Sequence, residues 1–387
     1  MLRYNAFLII SQVINMPLQL TLLLWMLALL FITGILFSTK LFSFMDKDTS
    51  GRIHRIDGLR FFLAFMVAFH HFVLSYEYFH GHPWLLSSLN DYPVNQKIGS
   101  FGVALFFMVS GYVFAHTNVK SWFYFYKKRV LRIAPLFMLS STLCLAIAFW
   151  IQRHEISTND LLSKFYFWFD AGLTGKKPDV FGMPDTQFIN AGVTWTLFWE
   201  WAFYFSLPVA YVLRDKIGLI PIASAIIFAS VYFVSTQNPA LASYASFFAI
   251  GAIGKELTTT SAQSKTFYNI GASLSFAVVI LISDSSFNIY FMPAVASTFF
   301  FIAIGGDFFG LLNIKGFIRL GDASYSIYML HGIAWFCMNR FIQSHNFHLD
   351  QTQYMVVSGT VFLFFLIACS LSYKFVELPF INLGKKS

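Results

Sequence analysis

The sequence predicts an all-α, polytopic integral membrane helix bundle, with about ten core transmembrane helices and one extra N-terminal helix. Three observations carry this. Hydrophobic residues make up 57% of the 387-residue chain and charged residues 11%, where a soluble domain carries about 25% charged. The mean hydropathy is +0.64. Eleven apolar segments approach the roughly 20 residues that a helical span needs. They cover residues 17–38, 58–79, 99–116, 134–151, 195–213, 217–235, 240–254, 268–283, 289–306, 325–343 and 355–376. The third observation is where the cations fall. Alternating the spans across a membrane puts 18 of the 26 lysines and arginines on one side and 6 on the other, with Arg60 and Arg340 inside spans. Cytoplasmic loops carry such an excess, so the rich side reads as cytoplasm. The N-terminus is then outside and the C-terminus cytoplasmic.

The same asymmetry accounts for the net charge of +8 as a topology signal, without a nucleic-acid partner. The first segment is too long for a secretory signal core, lacks a small-x-small cleavage site and has its positive charge after it, so it reads as an uncleaved anchor. With its linker it forms a unit over 1–52. A single membrane domain follows over 53–380, and 381–387 reads as a short cytoplasmic tail. Cys144, Cys337 and Cys369 all fall within spans, which predicts buried thiols rather than disulfides, and no metal site. The outer loop 152–194, with Gly172, Gly175, Pro178, Gly182 and Pro184, reads as irregular structure of lid-like length.

The second segment carries the chemistry. It opens on Asp57-Gly58-Leu59-Arg60 and reaches His70-His71. Ionisable groups in hydrocarbon are costly and mark sites or paths. A helix turns about 100° and rises about 1.5 Å per residue. His71 therefore projects within roughly 20° of Arg60 and about 16 Å deeper, while His70 points about 80° away. His71 is the candidate base, with Arg60 near the cytoplasmic surface.

Five further groups accompany them. Phe106-Phe107-Met108-Val109-Ser110-Gly111-Tyr112 places a small pair in the third segment, for close helix approach or for lining a pore. Arg129 and Arg132 open the fourth segment three residues apart, and paired guanidiniums suit phosphate. Trp195-Thr196-Leu197-Phe198-Trp199-Glu200 puts a carboxylate near the outer end of the fifth segment, with Tyr204 one turn on. Ser324, Tyr328, His331 and Trp335 form one polar and aromatic stripe. Glu377-Leu378-Pro379 closes the last segment, where proline is expected to stop the helix.

In this order the pieces resemble acyltransferase family 3, the membrane O-acyltransferases of bacterial surface glycans, in a stand-alone form without a C-terminal hydrolase-like domain. The arginine–ten residues–histidine spacing of Arg60 and His71 looks like that family's signature, and the resemblance runs over roughly 53–380. It implies transfer of an acyl group, usually acetyl, from cytoplasmic acyl-CoA to a hydroxyl of a surface or lipid-linked saccharide such as lipopolysaccharide, in the bacterial inner membrane. His71, Glu200 and Arg60 would be catalytic. Arg60, Arg129 and Arg132 would bind the donor. Ser110, Trp195, Tyr204, Tyr328 and His331 would bind substrate. One departure stands out: where many relatives have an aspartate before the Phe-Phe pair, this chain has Ala104. The rival class is a proton-coupled transporter or channel using the same buried His, Arg and Glu, although it does not account for arginines gathered on one side of a histidine.

Overall fold

The computed structural model describes residues 2–46, 51–154, 161–234, 239–258, 263–281 and 291–385. Its helices are, in order, α1 (Leu2–Ser38), α2 (His54–Phe79), α3 (Pro93–Phe114), α4 (Trp122–Gln152), α5 (Leu161–Trp168), α6 (Trp195–Ile217), α7 (Leu219–Val234), α8 (Pro239–Leu257), α9 (Lys265–Leu281), α10 (Phe291–Ile304), α11 (Lys315–Asp322), α12 (Ser324–Ser344), α13 (Gln351–Ser372) and α14 (Leu378–Lys385). Each of the eleven apolar segments falls on a helix. Residues 235, 282–283 and 289–290 at segment ends lie outside the described residues, as do Lys47 and Lys386. Five helices are long and apolar enough to cross a membrane, namely 19–38, 54–79, 93–114, 122–152 and 351–385. Those over 219–232, 265–281 and 291–304 are apolar but shorter.

The bundle is organised around α2, which is buried along almost its whole length and packs on α3, α11 and α12. Glycine makes the tightest approaches possible. A Cβ on Gly58 would stand 1.9 Å from the Leu312 carbonyl oxygen, and one on Gly321 would stand 2.0 Å from that of Asp57. Gly58 of the Asp-Gly-Leu-Arg motif is therefore a contact point between backbones. Gly111 and Gly251 do the same for α3 and α8: a Cβ on Gly111 would lie 2.0 Å from Phe248 O, and one on Gly251 would lie 1.9 Å from Met108 O. Of the alternatives for Ser110-Gly111, Gly111 serves close packing. Gly251→Ala is expected to cost roughly 1–3 kcal/mol by overpacking, since a backbone carbonyl cannot swing aside as a side chain would. A lower unfolding midpoint in detergent checks this, and an unchanged midpoint would contradict it.

Several cations counted as topology signals cap helix ends. Arg55 donates to the carbonyls of Ile302 (2.9 Å) and Ala303 (2.7 Å) at the end of α10. Arg319 donates to those of Phe37 and Thr39 (both 2.7 Å) at the end of α1, and grips Asp46 through two bonds. This hydrogen bonding from Arg319 holds the Asp46 carboxyl down at about 2. Cations at helix C-termini satisfy orphan carbonyls and oppose the helix dipole. Through Arg319, and through Ser38 Oγ accepting from Gly316 N (2.9 Å), the N-terminal helix is docked on α11.

Three expectations need correction. Proline does not end the last helix. A π-turn over Tyr373–Glu377 leads into α14, where Pro379 is the second residue. The proline follows directly on the π-turn within one continuous helical run, and such a wide turn accommodates the missing N–H. Residues 381–385 continue in α14, which packs on α4. The loop 152–194 is also more ordered than its glycines and prolines suggest, in so far as it is described (residues 155–160 lie outside). It contains α5, and Asp170 accepts from the backbone of Gly172 (2.8 Å) and Thr174 (2.9 Å) and from Lys177 (2.9 Å). The cysteines are free, with Cys144 and Cys369 buried, but Cys337 is exposed.

Candidate functional site

The loop before α6 reaches deep into the bundle. A Cβ on Gly332, near the middle of α12, would lie 2.2 Å from the Asn190 carbonyl carbon. Irregular backbone is tolerated at that depth only when enclosed by protein. The first turn of α6 is consequently set inward, with Leu197 against Gly172. Sequence placed Glu200 near the outer surface and Arg60 near the inner one. The structure brings them to a single cavity of about 130 Å³, lined also by Ser110, Arg132, Thr196, Ser324 and Tyr328.

This cavity holds polar groups with unused capacity. Among the described residues, Arg60 makes no hydrogen bond or ion pair, and the buried Ser324 hydroxyl has no partner. Glu200 accepts a hydrogen bond from the Tyr204 hydroxyl. The Tyr328 hydroxyl and Thr196 Oγ1 are 3.0 Å apart. Unpaired buried polar groups cost stability unless a ligand uses them.

Arg132 is also part of a second, more open cavity of about 520 Å³, lined by Arg52, Asp322, Asn382 and Lys385. The two cavities share Arg132. Arg132 lies 3.5 Å from Glu377, whose other oxygen accepts from Ser326 Oγ (2.5 Å). Arg52 bridges Asp57 and Asp322, each at 2.7 Å from its Nη2. Burial works against the charge on Arg52, but the hydrogen bonds to Asp322 and Asp57 more than offset it and hold its pKa above the ordinary value. Sequence reading missed this clamp. Arg52 and Asp57 are five residues apart and were visible as a possible pair, but nothing in the chain points to Asp322, 270 residues from Arg52.

At the other end of the stripe on α12, Tyr328 borders the cavity and its ring lies 6.1 Å from that of His331. His331 Nε2 is 2.9 Å from His71 Nδ1. Trp335, one turn further, donates to the Ala68 carbonyl at 2.8 Å. The predicted stripe thus runs along α2. His70 turns the other way: its Nδ1 is 2.8 Å from the Asn95 carbonyl oxygen and its ring packs on Gly99. Above His71 lies the Trp84 ring, 6.2 Å away and nearly parallel, itself stacked on Phe188 at 4.8 Å.

The family follows from a comparison of the whole chain with known families. The model described as "Acyltransferase domain" matches residues 53–374. The chain belongs to acyltransferase family 3. No curated protein and no solved structure matches it. The protein is a multi-pass membrane acyltransferase, and the matched residues contain every candidate site residue named from the sequence.

Of those candidates Arg60, Ser110, Arg132, Glu200 and Tyr328 line the inner cavity, while His71, His331, Arg129, Trp195 and Tyr204 do not. The Arg129 guanidinium sits over the rings of Phe114 (5.1 Å), Phe125 (5.5 Å) and Tyr204 (5.7 Å). Arg129 and Arg132 share a helix face only loosely, and neighbouring α3 and α6 surround one while α14 borders the other. Trp195 packs on Tyr244, with ring centroids 5.2 Å apart. Tyr204 touches the site through Glu200 alone. Ala104 is fully buried in α3.

Proposed function

We propose that this acyltransferase moves an acetyl group from acetyl-CoA, arriving from the cytoplasm, onto a hydroxyl of a cell-surface or lipid-linked polysaccharide. The observation that carries this reading is the order of groups through the protein. A cationic mouth with Arg52, Arg132 and Lys385 leads to a cavity with unpaired Arg60 and Ser324, and the His71–His331 pair lies one helical turn beyond Tyr328. Guanidiniums suit the phosphates of the donor. Glu200 and Ser324 offer an acceptor and a donor for the amides of an extended thioester arm.

In this reading the acceptor approaches from the outer side, past Trp84 and Phe188. His71 takes the proton from the sugar hydroxyl, and the oxygen forms a bond to the acyl carbon. The carbon–sulfur bond breaks, and the proton passes from His71 to the departing thiolate. A sugar hydroxyl is a weak nucleophile, and histidine is the usual base near neutral pH. The test is labelled acetyl-CoA supplied to vesicles containing the protein. Label in the glycan is expected. Movement of the glycan without acylation would replace this reading with the transporter.

The reading also requires the sidedness of a bacterial inner-membrane protein with its N-terminus outside. Membrane-impermeant lysine labelling of intact cells is expected to modify Lys176 and leave Lys265 untouched. Lys177, although adjacent in sequence, is buried against Asp170 and is expected to stay unlabelled. Lys265 is well exposed, so its protection would come from the membrane and not from burial. Labelling of Lys265 from outside would invert the topology and put the cationic mouth where no CoA exists.

A further inference from the structure

The contact between His71 and His331 fixes where the hydrogens lie on both rings. His331 Nδ1 is 3.1 Å from the carbonyl oxygen of Ile327, one turn back on α12. A carbonyl oxygen only accepts, so His331 Nδ1 carries a hydrogen. In the neutral ring its Nε2 is then a bare lone pair. That lone pair faces His71 Nδ1 at 2.9 Å, so His71 Nδ1 must donate. The remaining nitrogen of His71, Nε2, is left unprotonated.

We propose that His331 is a positioning residue for acyl transfer: anchored by the Ile327 carbonyl, it holds His71 in the Nδ1–H tautomer and leaves His71 Nε2 as the base. This rests on the acyl-transfer reading above and reassigns His331 from substrate binding. When His71 Nε2 takes the hydroxyl proton, the ring becomes an imidazolium, and its Nδ1–H bond to His331 becomes charge-assisted and stronger. The proton returns from the same Nε2 to the thiolate, so His331 ends each cycle unchanged. Two packing contacts keep the geometry. The rings of His71 and His331 lie 5.0 Å apart at 25°, and the neighbouring Trp335 ties α12 to the Ala68 carbonyl of α2.

The test uses two variants of the full chain. His331→Gln can place an amide oxygen near the position of Nε2 and accept from His71. His331→Phe fills the ring volume but accepts nothing. In membrane vesicles from the producing cells, with labelled acetyl-CoA and the endogenous glycan as acceptor, His331→Phe is expected to lower the maximal rate per protein by roughly 10²–10⁴-fold, the usual worth of a general base. The donor KM should stay within a few-fold, and His331→Gln should recover most of the rate. Equal loss in both variants, or a raised donor KM at unchanged maximal rate, would overturn the positioning role. A second measurement does not depend on turnover. Nitrogen-15 NMR of histidine-labelled protein in lipid, with the His71 signals assigned by their loss in His71→Gln, should show Nδ1 protonated and Nε2 bare. In His331→Phe that preference should disappear. A wild-type protein that shows this tautomer but transfers no label would refute the acyl-transfer reading and leave the hydrogen-bond assignment standing. A wild-type His71 protonated on Nε2 would refute the assignment itself.

Discussion

His71→Ala is expected to abolish acyl transfer, with a loss of roughly 10²–10⁴-fold or more, while His70→Ala only impairs it. The two residues are adjacent in sequence, but their surroundings differ. His71 faces His331 and lies beneath Trp84. His70 is fastened to the Asn95 carbonyl and packed on Gly99, where it joins α2 to α3. Losing His70 removes a buried hydrogen bond and opens a void, which lowers stability and hence the amount of folded protein. Losing His71 removes the group on which the proposed proton transfer depends. The measurement is acetyl incorporation normalised to membrane-inserted protein. Equal loss for both variants at equal levels would remove the distinction between a base and a clasp.

Arg132→Ala is expected to raise the donor KM by roughly 10–150-fold, the equivalent of one charge-assisted contact of about 1.5–3 kcal/mol. Arg132 lines both the open cavity and the inner one, so in the proposed reading a polyanionic donor meets it. Its partner Glu377 is fully buried on the side chain and would lose its cation. The variant must therefore be compared with Arg132→Lys, which keeps the charge but not the two-pronged geometry. Arg129→Ala is expected to change the donor KM little, because Arg129 is enclosed by Phe114, Phe125 and Tyr204. Its loss should instead lower thermal stability. A donor KM that rises equally in both variants would restore the expectation from sequence that the two arginines act together.

The arginine pair illustrates how far periodicity reaches. Spacing states which side chains leave a helix in similar directions, but it does not state what stands there. Arg129 and Arg132 differ by about 60° around the helix, enough for one to meet aromatic rings and the other a cavity. Within α2, which is surrounded by protein along almost its whole length, adjacent residues meet different neighbours. There the direction of a side chain decides which neighbour it meets, and His70 and His71 do part company as their angles require.

The amino-acid sequence by itself determined the class of the protein and where its helices run, and it named the candidate site residues. The hydrocarbon core admits only internally hydrogen-bonded backbone, so long apolar segments must be helices. Charged groups within them are costly enough to mark function. Hence Arg60, His71, Glu200 and the stripe from Ser324 to Trp335 were legible without coordinates. Only the tertiary structure decided which of these groups share a compartment. The depth to which the loop before α6 descends sets Glu200 beside Arg60, and the glycine contacts at Gly58 and Gly321 set α11 beside α2 and so Asp322 beside Arg52. The same holds for the contact between His71 and His331, which are 260 residues apart. These are pairings between distant segments. Local pattern fixes the direction of each side chain on its own helix, but the partner it meets depends on the packing of all the helices together.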